Sequence, residues 1–128
     1  MSARIVIAGG PKVGKTTLGT ELAKALGVTL QSTDALIHMG WSEVSEHVAR
    51  EWLTRPGPWV IEGVATLRSI RKWLAAHPQG MPCDEIRLGE RPWVARTSGQ
   101  ESMAKGVVTV WNEIAAAVEA RGVRVVRF

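Results

Sequence analysis

The sequence predicts an α/β fold in which helices cover both faces of one parallel sheet. Short runs of β-branched and other apolar residues alternate along the chain with segments whose apolar residues recur at helical spacing. Clusters of Gly and Pro separate these segments. Because parallel strands need crossover connections, this alternation places helices above and below the sheet, which gives three layers.

The first third of the chain contains two predicted strands and one helix. Arg4–Ala8 is a β-branched run, typical of a strand buried on both faces. Lys15–Leu26 has Leu and Ala at helical spacing, and Gly27 is expected to end this helix. Val28–Leu30 is predicted as a second, shorter strand.

Two helices flank a strand in the middle of the chain. Ser42 is predicted to cap a helix that stops before Pro56, because the residue preceding a proline disfavours helix. Trp59–Glu62 is the third predicted strand. Val64–Ala76 is predicted as a helix with its Leu, Ile and Trp residues turned inward.

The last third begins with the charged segment Asp84–Leu88, the least regular of the five predicted strands. The basic loop Gly89–Thr97 follows, and Ser98–Glu101 has capping-box spacing that opens a long helix. Gly122 is expected to end this helix, and Val123–Phe128 is the fifth strand.

Length and composition predict a single domain over residues 1–128, with 45% hydrophobic and 22% charged residues. These values exclude wholesale disorder, and no apolar run approaches the ~18 residues of a membrane span. The lone Cys83 excludes an internal disulfide and fits a reducing interior, so a cytoplasmic location is expected. The net charge of +4 suits a polyanionic partner.

Residues 9–16 match the phosphate-binding pattern G-x-x-x-x-G-K-[ST] at every fixed position. Gly9 and Gly14 allow the backbone to turn its N–H groups toward phosphate oxygens. Lys15 is expected to contact the β- and γ-phosphates, and the Thr16 hydroxyl to ligate Mg²⁺. The residues predicted to bind a nucleoside triphosphate are Gly9, Gly10, Pro11, Lys12, Val13, Gly14, Lys15, Thr16 and Thr17.

With this motif, and with strands and helices of these lengths, the chain resembles the small P-loop kinases, namely adenylate, shikimate and polynucleotide kinases. The resemblance implies a P-loop NTPase three-layer sandwich with strand order 2-3-1-4-5, ATP as the donor and Mg²⁺ as the metal. The segment Ser32–Ser42 is also similar to small phage-encoded P-loop proteins. Some relatives of that kind phosphorylate hydroxymethylated bases in phage DNA, which would place this chain in the host cytoplasm.

Two acidic residues follow predicted strands at the edge where this fold holds its acceptor. Asp34 follows the second strand, and its place in polynucleotide-kinase-like enzymes implies a base for the attacking hydroxyl; an Asx-turn or a cap is the alternative. Glu62 ends the third strand. The resemblance implies that Glu62 serves Mg²⁺ or the acceptor, although Asp is commoner there, and a helix cap is again the alternative.

The basic loop Gly89–Thr97 matches the position of the arginine-bearing lid of small P-loop kinases. Arg91 and Arg96 are therefore predicted to neutralise charge on the transferred phosphoryl group. The alternative is a solvated basic loop. Arg87 and Lys105 are secondary candidates.

The six tryptophans divide by position. Trp52, Trp73 and Trp111 fall on apolar helix stripes and are predicted in the core, and Trp59 is predicted to be half-buried. Trp41 and Trp93 are predicted to lie in loops beside the expected acceptor site and lid. Either a stacking role against a nucleobase or a role in anchoring these loops fits their position.

The leading hypothesis is an ATP-dependent kinase whose acceptor is a hydroxyl on a nucleotide or a nucleic acid, with a hydroxymethylated pyrimidine in phage DNA as the favoured case. A small-molecule or nucleoside monophosphate kinase is the alternative within that class. A nucleotide-binding NTPase or regulator is the alternative from another class. The pattern leaves the acceptor, the ATP or GTP preference and the oligomeric state open.

Overall fold

A computed structural model describes residues 3–128, apart from the side chain of residue 37. The elements, in chain order, are β1 (Arg4–Gly9), α1 (Lys15–Leu26), β2 (Gln31–Ser32), α2 (Trp41–His47), β3 (Trp59–Glu62), α3 (Thr66–Ala76), β4 (Glu85–Gly89), α4 (Ser98–Ala120) and β5 (Arg124–Arg127). A 3₁₀ segment, Thr33–Met39, leads into α2, and a π-helical segment, Val48–Trp52, continues it.

The five strands form one parallel sheet of order β2-β3-β1-β4-β5, which confirms the predicted fold class and strand order. The register aligns Ile7 of β1 with Glu62 of β3, and Glu62 with Ser32 of β2. The carboxyl ends of these three strands therefore meet at one edge of the sheet, beside the loop that follows β1.

The side chains of β1 alternate between two cores on opposite faces of the sheet. Val6 and Ala8 belong to the larger core, which α2, α3 and α4 cover. Ile5 and Ile7 belong to the smaller core under α1. The helices thus lie on both faces, three on one and one on the other.

The charged residues of β4 have a structural explanation. Glu85 and Arg87 align with Ile5 and Ile7, so they point to the face of α1, which packs mainly on β1 and β3. There Glu85 pairs with Arg87 at 3.0 Å and with Arg124 of β5 at 3.5 Å. A strand that lies beside the covering helix, and not beneath it, can carry charges.

The second strand was predicted too early. The chain at Val28–Leu30 is not in the sheet, and β2 consists of Gln31–Ser32. Gly27 ends α1 in the left-handed conformation, and the Val28 N–H donates to the Ala23 carbonyl at 2.9 Å. Val28 and Leu30 pack into the core under α1. These two residues are apolar because they extend the packing of that helix, and not because they form a strand.

Two predicted helix starts also need correction. Ser42 is not a cap, because α2 begins at Trp41 after Gly40, and no side chain caps it. The capping box of α4 lies one residue earlier than predicted. The Gln100 N–H donates to Thr97 Oγ1 at 3.2 Å, and the Thr97 N–H donates to Gln100 Oε1 at 3.0 Å.

The predicted burial of three tryptophans is confirmed, since Trp52, Trp73 and Trp111 are all buried. The expectation for Trp59 was wrong, because this residue is buried and not half-buried. Its indole N–H donates to the Arg55 carbonyl at 3.0 Å, which satisfies the polar atom inside the core.

Within residues 3–128, none of the helices has the length and apolar character that a membrane span requires.

Candidate active site

The loop between β1 and α1 has the backbone that its glycines predict. Gly9 and Gly14 have φ values of 143° and 86°, which favour glycine. Lys12 has a φ of 68° without being a glycine, and no sequence pattern indicated this conformation. Lys12 is exposed, whereas the Val13 side chain is buried and packs at Gly89. Val13 therefore contributes only its backbone to this loop.

The Lys15 side chain is buried and donates from Nζ to the Gly10 carbonyl at 2.7 Å. Burial lowers the pKa of Lys15, the charges of Glu62 and Asp34 oppose that effect, and Arg96 adds to it. A buried ammonium with one carbonyl partner has unused donors, which suit phosphate oxygens.

A cavity of about 550 Å³ opens over this loop. It brings together the predicted residues from three parts of the sequence. Its floor consists of Pro11, Lys12, Gly14, Lys15, Thr16 and Thr17. The wall next to β2 and β3 consists of Asp34, Trp41, Glu62 and Val64. The opposite wall consists of Trp93, Val94, Gln100 and Met103.

Asp34 is the exposed carboxylate of this cavity. Its backbone N–H donates to Ser32 Oγ at 3.3 Å, so Ser32 provides the local cap at the start of the 3₁₀ segment. No residue in the described part of the chain donates a hydrogen bond to the Asp34 carboxylate. This side chain is therefore available to accept a proton from a ligand.

Glu62 is the buried carboxylate of the same wall, with only 2% of the residue exposed. Burial raises the pKa of Glu62; a hydrogen bond from Ser32 and the charge of Lys15 oppose that effect, and Asp34 adds to it. Glu62 Oε2 has no hydrogen-bond partner among the described residues. A buried oxygen of this kind fits a cation or a donor supplied by a ligand.

No pattern in the sequence indicated the contact between Thr33 and Gly63 behind this wall. Thr33 Oγ1 is buried without a described partner, and it lies against Gly63, where any Cβ would overlap it. Gly63 has a φ of 141°. The backbone conformation at position 63 and the close packing against Thr33 therefore both require a glycine there.

The basic loop Gly89–Thr97 rests on the phosphate-binding loop. The Trp93 N–H donates to the Lys12 carbonyl at 2.7 Å, and the Trp93 ring lies against Gly14. Arg96 donates from Nε to the Pro11 carbonyl at 2.6 Å, and 7% of its side chain is exposed. The predicted lid thus contacts the phosphate-binding loop directly.

The four basic residues proposed from the sequence occupy different places. Arg96 borders the phosphate-binding loop and Arg91 is exposed, and neither is among the residues that line the first cavity. Arg87 is held on the sheet by Glu85. Lys105 is exposed on α4 and lines a second cavity.

This second cavity, of about 620 Å³, lies between α4 and the carboxyl ends of β4 and β5. Gly10 of the phosphate-binding loop lines this second cavity, whereas the next residue, Pro11, lines the first. The polar side chains of the second cavity include Arg96, Glu101, Lys105 and Asn112. The phosphate-binding loop therefore separates two cavities of similar size.

The donor set fits Mg²⁺ held jointly by protein and phosphate. Within residues 3–128, no group of three His, Cys, Asp or Glu side chains could hold a metal alone. Thr16 and Glu62 line one cavity and offer a hydroxyl and a carboxylate with an unpartnered oxygen. Mg²⁺ characteristically takes one or two such ligands and completes its shell with water and substrate phosphate.

Comparison with known proteins identifies the fold. No protein-family model and no curated protein matches the sequence. Among solved structures, shikimate kinase from Acinetobacter baumannii in complex with shikimate is similar, with a TM-score of 0.58, 16% identity, and coverage of 92% of this chain and 80% of that one. Shikimate kinase from Bacteroides thetaiotaomicron is similar with a TM-score of 0.54, 14% identity, and coverage of 98% and 85%. The chain therefore has the fold of P-loop kinases.

Proposed function

We propose that this chain is an ATP-dependent kinase that transfers the γ-phosphoryl group to a hydroxyl. The observation that carries the proposal is the composition of the first cavity, in which Lys15, Thr16, Asp34 and Glu62 meet. Phosphoryl transfer needs positioning and charge neutralisation at the phosphates, and an alcohol acceptor also needs a base. These four side chains provide both.

Each residue has a separate part in this mechanism. The loop backbone and Lys15 hold the β- and γ-phosphates. Asp34 takes the proton of the acceptor hydroxyl as its oxygen bonds to the γ-phosphorus. The bond between that phosphorus and the β–γ bridging oxygen breaks, and ADP leaves with the electron pair. Asp34 then releases its proton to solvent.

Thr16 and Glu62 would hold Mg²⁺, which supplies positive charge to the phosphates when bound. Arg96 is the lid arginine closer to this reaction, because it already contacts Pro11 and its charge acts on Lys15. Arg91 remains a second candidate from the exposed part of the lid.

The second cavity offers a place for the nucleoside of the donor. A triphosphate on the loop has its γ end toward Asp34, so its nucleoside must extend the other way. The cavity lined by Gly10, Lys105 and Asn112 lies on that side and is large enough for a nucleoside. We assign the donor base to it.

For the acceptor, we propose a hydroxyl of a nucleotide or a nucleic acid, with a hydroxymethylated pyrimidine in phage DNA as the favoured case. The net charge of +4 supports a polyanionic substrate. Trp41 and Trp93 line the same cavity as Asp34 and offer aromatic surface to a base. An unpaired or flipped nucleotide would reach the cavity most easily.

A radiolabelled ATP screen tests the proposal, with DNA containing hydroxymethyluracil, free nucleosides, nucleoside monophosphates and shikimate as acceptors. We expect label in the DNA, and DNA binding with a log–log salt slope equivalent to about two to four phosphates. Lys15→Ala is the inactive control. Label in none of these acceptors, with ATP hydrolysis intact, would favour an NTPase.

The structural similarity to shikimate kinases supports a second candidate, a kinase for a small molecule. Label only in shikimate or in a free nucleoside or nucleotide, with no DNA binding at low salt, would select it.

A further inference from the structure

Arg68 is a half-buried cation close to the acceptor wall that the mechanism above does not use. It lies in the first turn of α3, and its Cζ lies 5.3 Å from the centroid of the Trp41 ring. Within residues 3–128, no carboxylate pairs with Arg68, whereas Arg71 on the same helix pairs with Glu113 at 2.9 Å. Among the described residues, the indole of Trp41 is therefore the partner of the Arg68 guanidinium.

The other side of Arg68 faces α4. A Cβ at Gly106 would lie 3.2 Å from Arg68 Nη2, so the guanidinium fits between the indole and a helix that has no side chain at this position. A cation over an indole face attracts the electron-rich ring. Arg68 therefore holds the orientation of Trp41. The absence of a side chain at Gly106 leaves room for this contact.

Trp41 is the aromatic part of the acceptor wall. It begins α2 directly after Gly40 and has 36% of its surface exposed, and it lines the cavity together with Asp34 and Glu62. Arg68 itself is not among the residues that line this cavity. The wall thus presents an indole and two carboxylates, which suits a planar ring with a hydroxyl better than an acceptor whose own carboxylate would lie at this wall.

We propose that Trp41, positioned by Arg68, is the stacking platform that selects an acceptor with a planar heteroaromatic ring, such as a nucleobase. This inference rests on the proposed kinase function, because it places the reactive hydroxyl of the stacked molecule at Asp34. Arg68 is a positioning residue, since it acts through the indole and does not contact the acceptor.

Binding of 5-hydroxymethyl-2′-deoxyuridine is the direct test and needs no turnover. We expect the nucleoside to quench tryptophan fluorescence in the wild type, and Trp41→Leu to lose the quenching with an affinity about 10- to 100-fold weaker. Trp93→Leu measures the contribution of the second cavity tryptophan, and Phe128→Leu is the matched control, because Phe128 is an aromatic residue of similar exposure outside the cavity and its replacement should keep the wild-type affinity. Equal nucleoside affinity in the wild type and Trp41→Leu would overturn the proposal, as would dependence on Trp93 alone.

Arg68 variants separate positioning from general stability. Arg68→Met should raise the acceptor KM about 2- to 5-fold, leave kcat and ATP affinity unchanged, and be partly rescued by Arg68→Lys. Arg71→Met removes the same charge from the same helix and should leave the KM unchanged. An Arg68→Met variant that matches the wild type in acceptor KM, or that loses kcat and ATP affinity as well, contradicts the positioning role.

The same assays distinguish this inference from the kinase function. A hydroxymethyluracil oligonucleotide and the free nucleoside separate a base in DNA from a small molecule as the source of the ring. Trp41-dependent nucleoside binding without phosphoryl transfer to any acceptor would refute the kinase and keep the platform. Transfer to shikimate that does not depend on Trp41 would keep the kinase and refute the platform.

Discussion

Replacing Glu62 with Gln should make the protein more stable at neutral pH and less active. The carboxyl has 2% of its residue exposed, and its Oε2 has no described partner. Burial raises the pKa of Glu62 above its ordinary value of 4.5, so the fold favours the protonated form. Gln has nearly the same shape and carries no charge at any pH.

The size of this effect follows from the extra cost of a buried charge, because an unsatisfied neutral group such as the Gln amide costs about 1–3 kcal/mol and a charged group costs more than that. The opposite charge of Lys15 offsets part of the cost of the buried carboxylate. We therefore expect Glu62→Gln to raise the free energy of unfolding by about 1–3 kcal/mol. The unfolding entropy is about 2.1 cal/mol/K per residue, so for a chain of 128 residues each kcal/mol of unfolding free energy shifts the melting temperature by roughly 4 °C. The expected gain is therefore about 4–11 °C near pH 7.

The pH dependence gives the sign of the effect. A raised pKa contributes stability that is fully present below the ordinary value of 4.5 and is lost as the pH rises through the higher pKa of the folded state. The advantage of Glu62→Gln should therefore be small at pH 4 and grow toward pH 8. Titration of groups that do not interact with Glu62 cancels, because it affects the wild type and the variant equally, whereas loss of the Glu62 charge lowers the pKa of Lys15 further.

Thermal unfolding from pH 4 to pH 8 measures this difference, and Glu113→Gln is the matched control. Glu113 is half exposed and pairs with Arg71, so its replacement should change the melting temperature little or lower it at neutral pH. The reasoning is refuted if Glu62→Gln lowers the melting temperature at pH 7, or if its difference from the wild type does not depend on pH.

Three further predictions concern the phosphate-binding loop, the base and the wall behind it. Lys15→Ala should weaken ATP binding about 10- to 150-fold and abolish transfer without lowering the melting temperature; calorimetry and label transfer measure this, and wild-type turnover would contradict the loop assignment. Asp34→Asn should keep ATP affinity and lower acceptor phosphorylation about 10²- to 10⁴-fold, whereas a rate within a few-fold of wild type would exclude Asp34 as the base. Gly63→Ala should destabilise the fold by about 1–3 kcal/mol in denaturant unfolding, because its Cβ overlaps Thr33 and its φ is 141°. Gly99→Ala, whose Cβ meets nothing closer than 4.0 Å in the first turn of α4, should be stabilising, and equal effects at the two glycines would contradict this account.

The succession of strands and helices along the chain and the glycine-rich loop after the first strand could be predicted because the signals for both are local, whereas the strand order in the sheet was implied by the resemblance to P-loop kinases. A β-branched run followed by a glycine-rich loop and a helix is contiguous in the sequence, and Arg4–Gly9 and Lys15–Leu26 lie close to where that pattern placed them. The predicted strand at Val28–Leu30 failed because an apolar run can pack under a helix as readily as it can join a sheet. Periodicity does not separate these cases.

The relations between side chains on different elements could not be predicted. That Asp34 and Glu62 share a cavity follows from adjacent strands, so the sequence supported it. That Arg96 bonds to Pro11, that Gly63 lies against Thr33 and that Arg68 stacks on Trp41 depend on contacts between segments far apart or on precise backbone geometry. No spacing rule encodes such contacts, and only the packed structure defines them.

The same electrostatics that lower the stability of this site make it suited to a charged ligand. Burial lowers the pKa of Lys15 and raises that of Glu62, so the fold disfavours the charged form of each. A triphosphate would supply negative charge to Lys15, and a divalent cation would supply positive charge to Glu62, so each ligand favours the charged form that the fold disfavours. Binding should therefore recover free energy that folding alone does not, by mass action on the folded state. Uncharged side chains at both positions would avoid this cost, so the proposed ligand, which carries both signs of charge, accounts for the presence of both charged groups in one cavity.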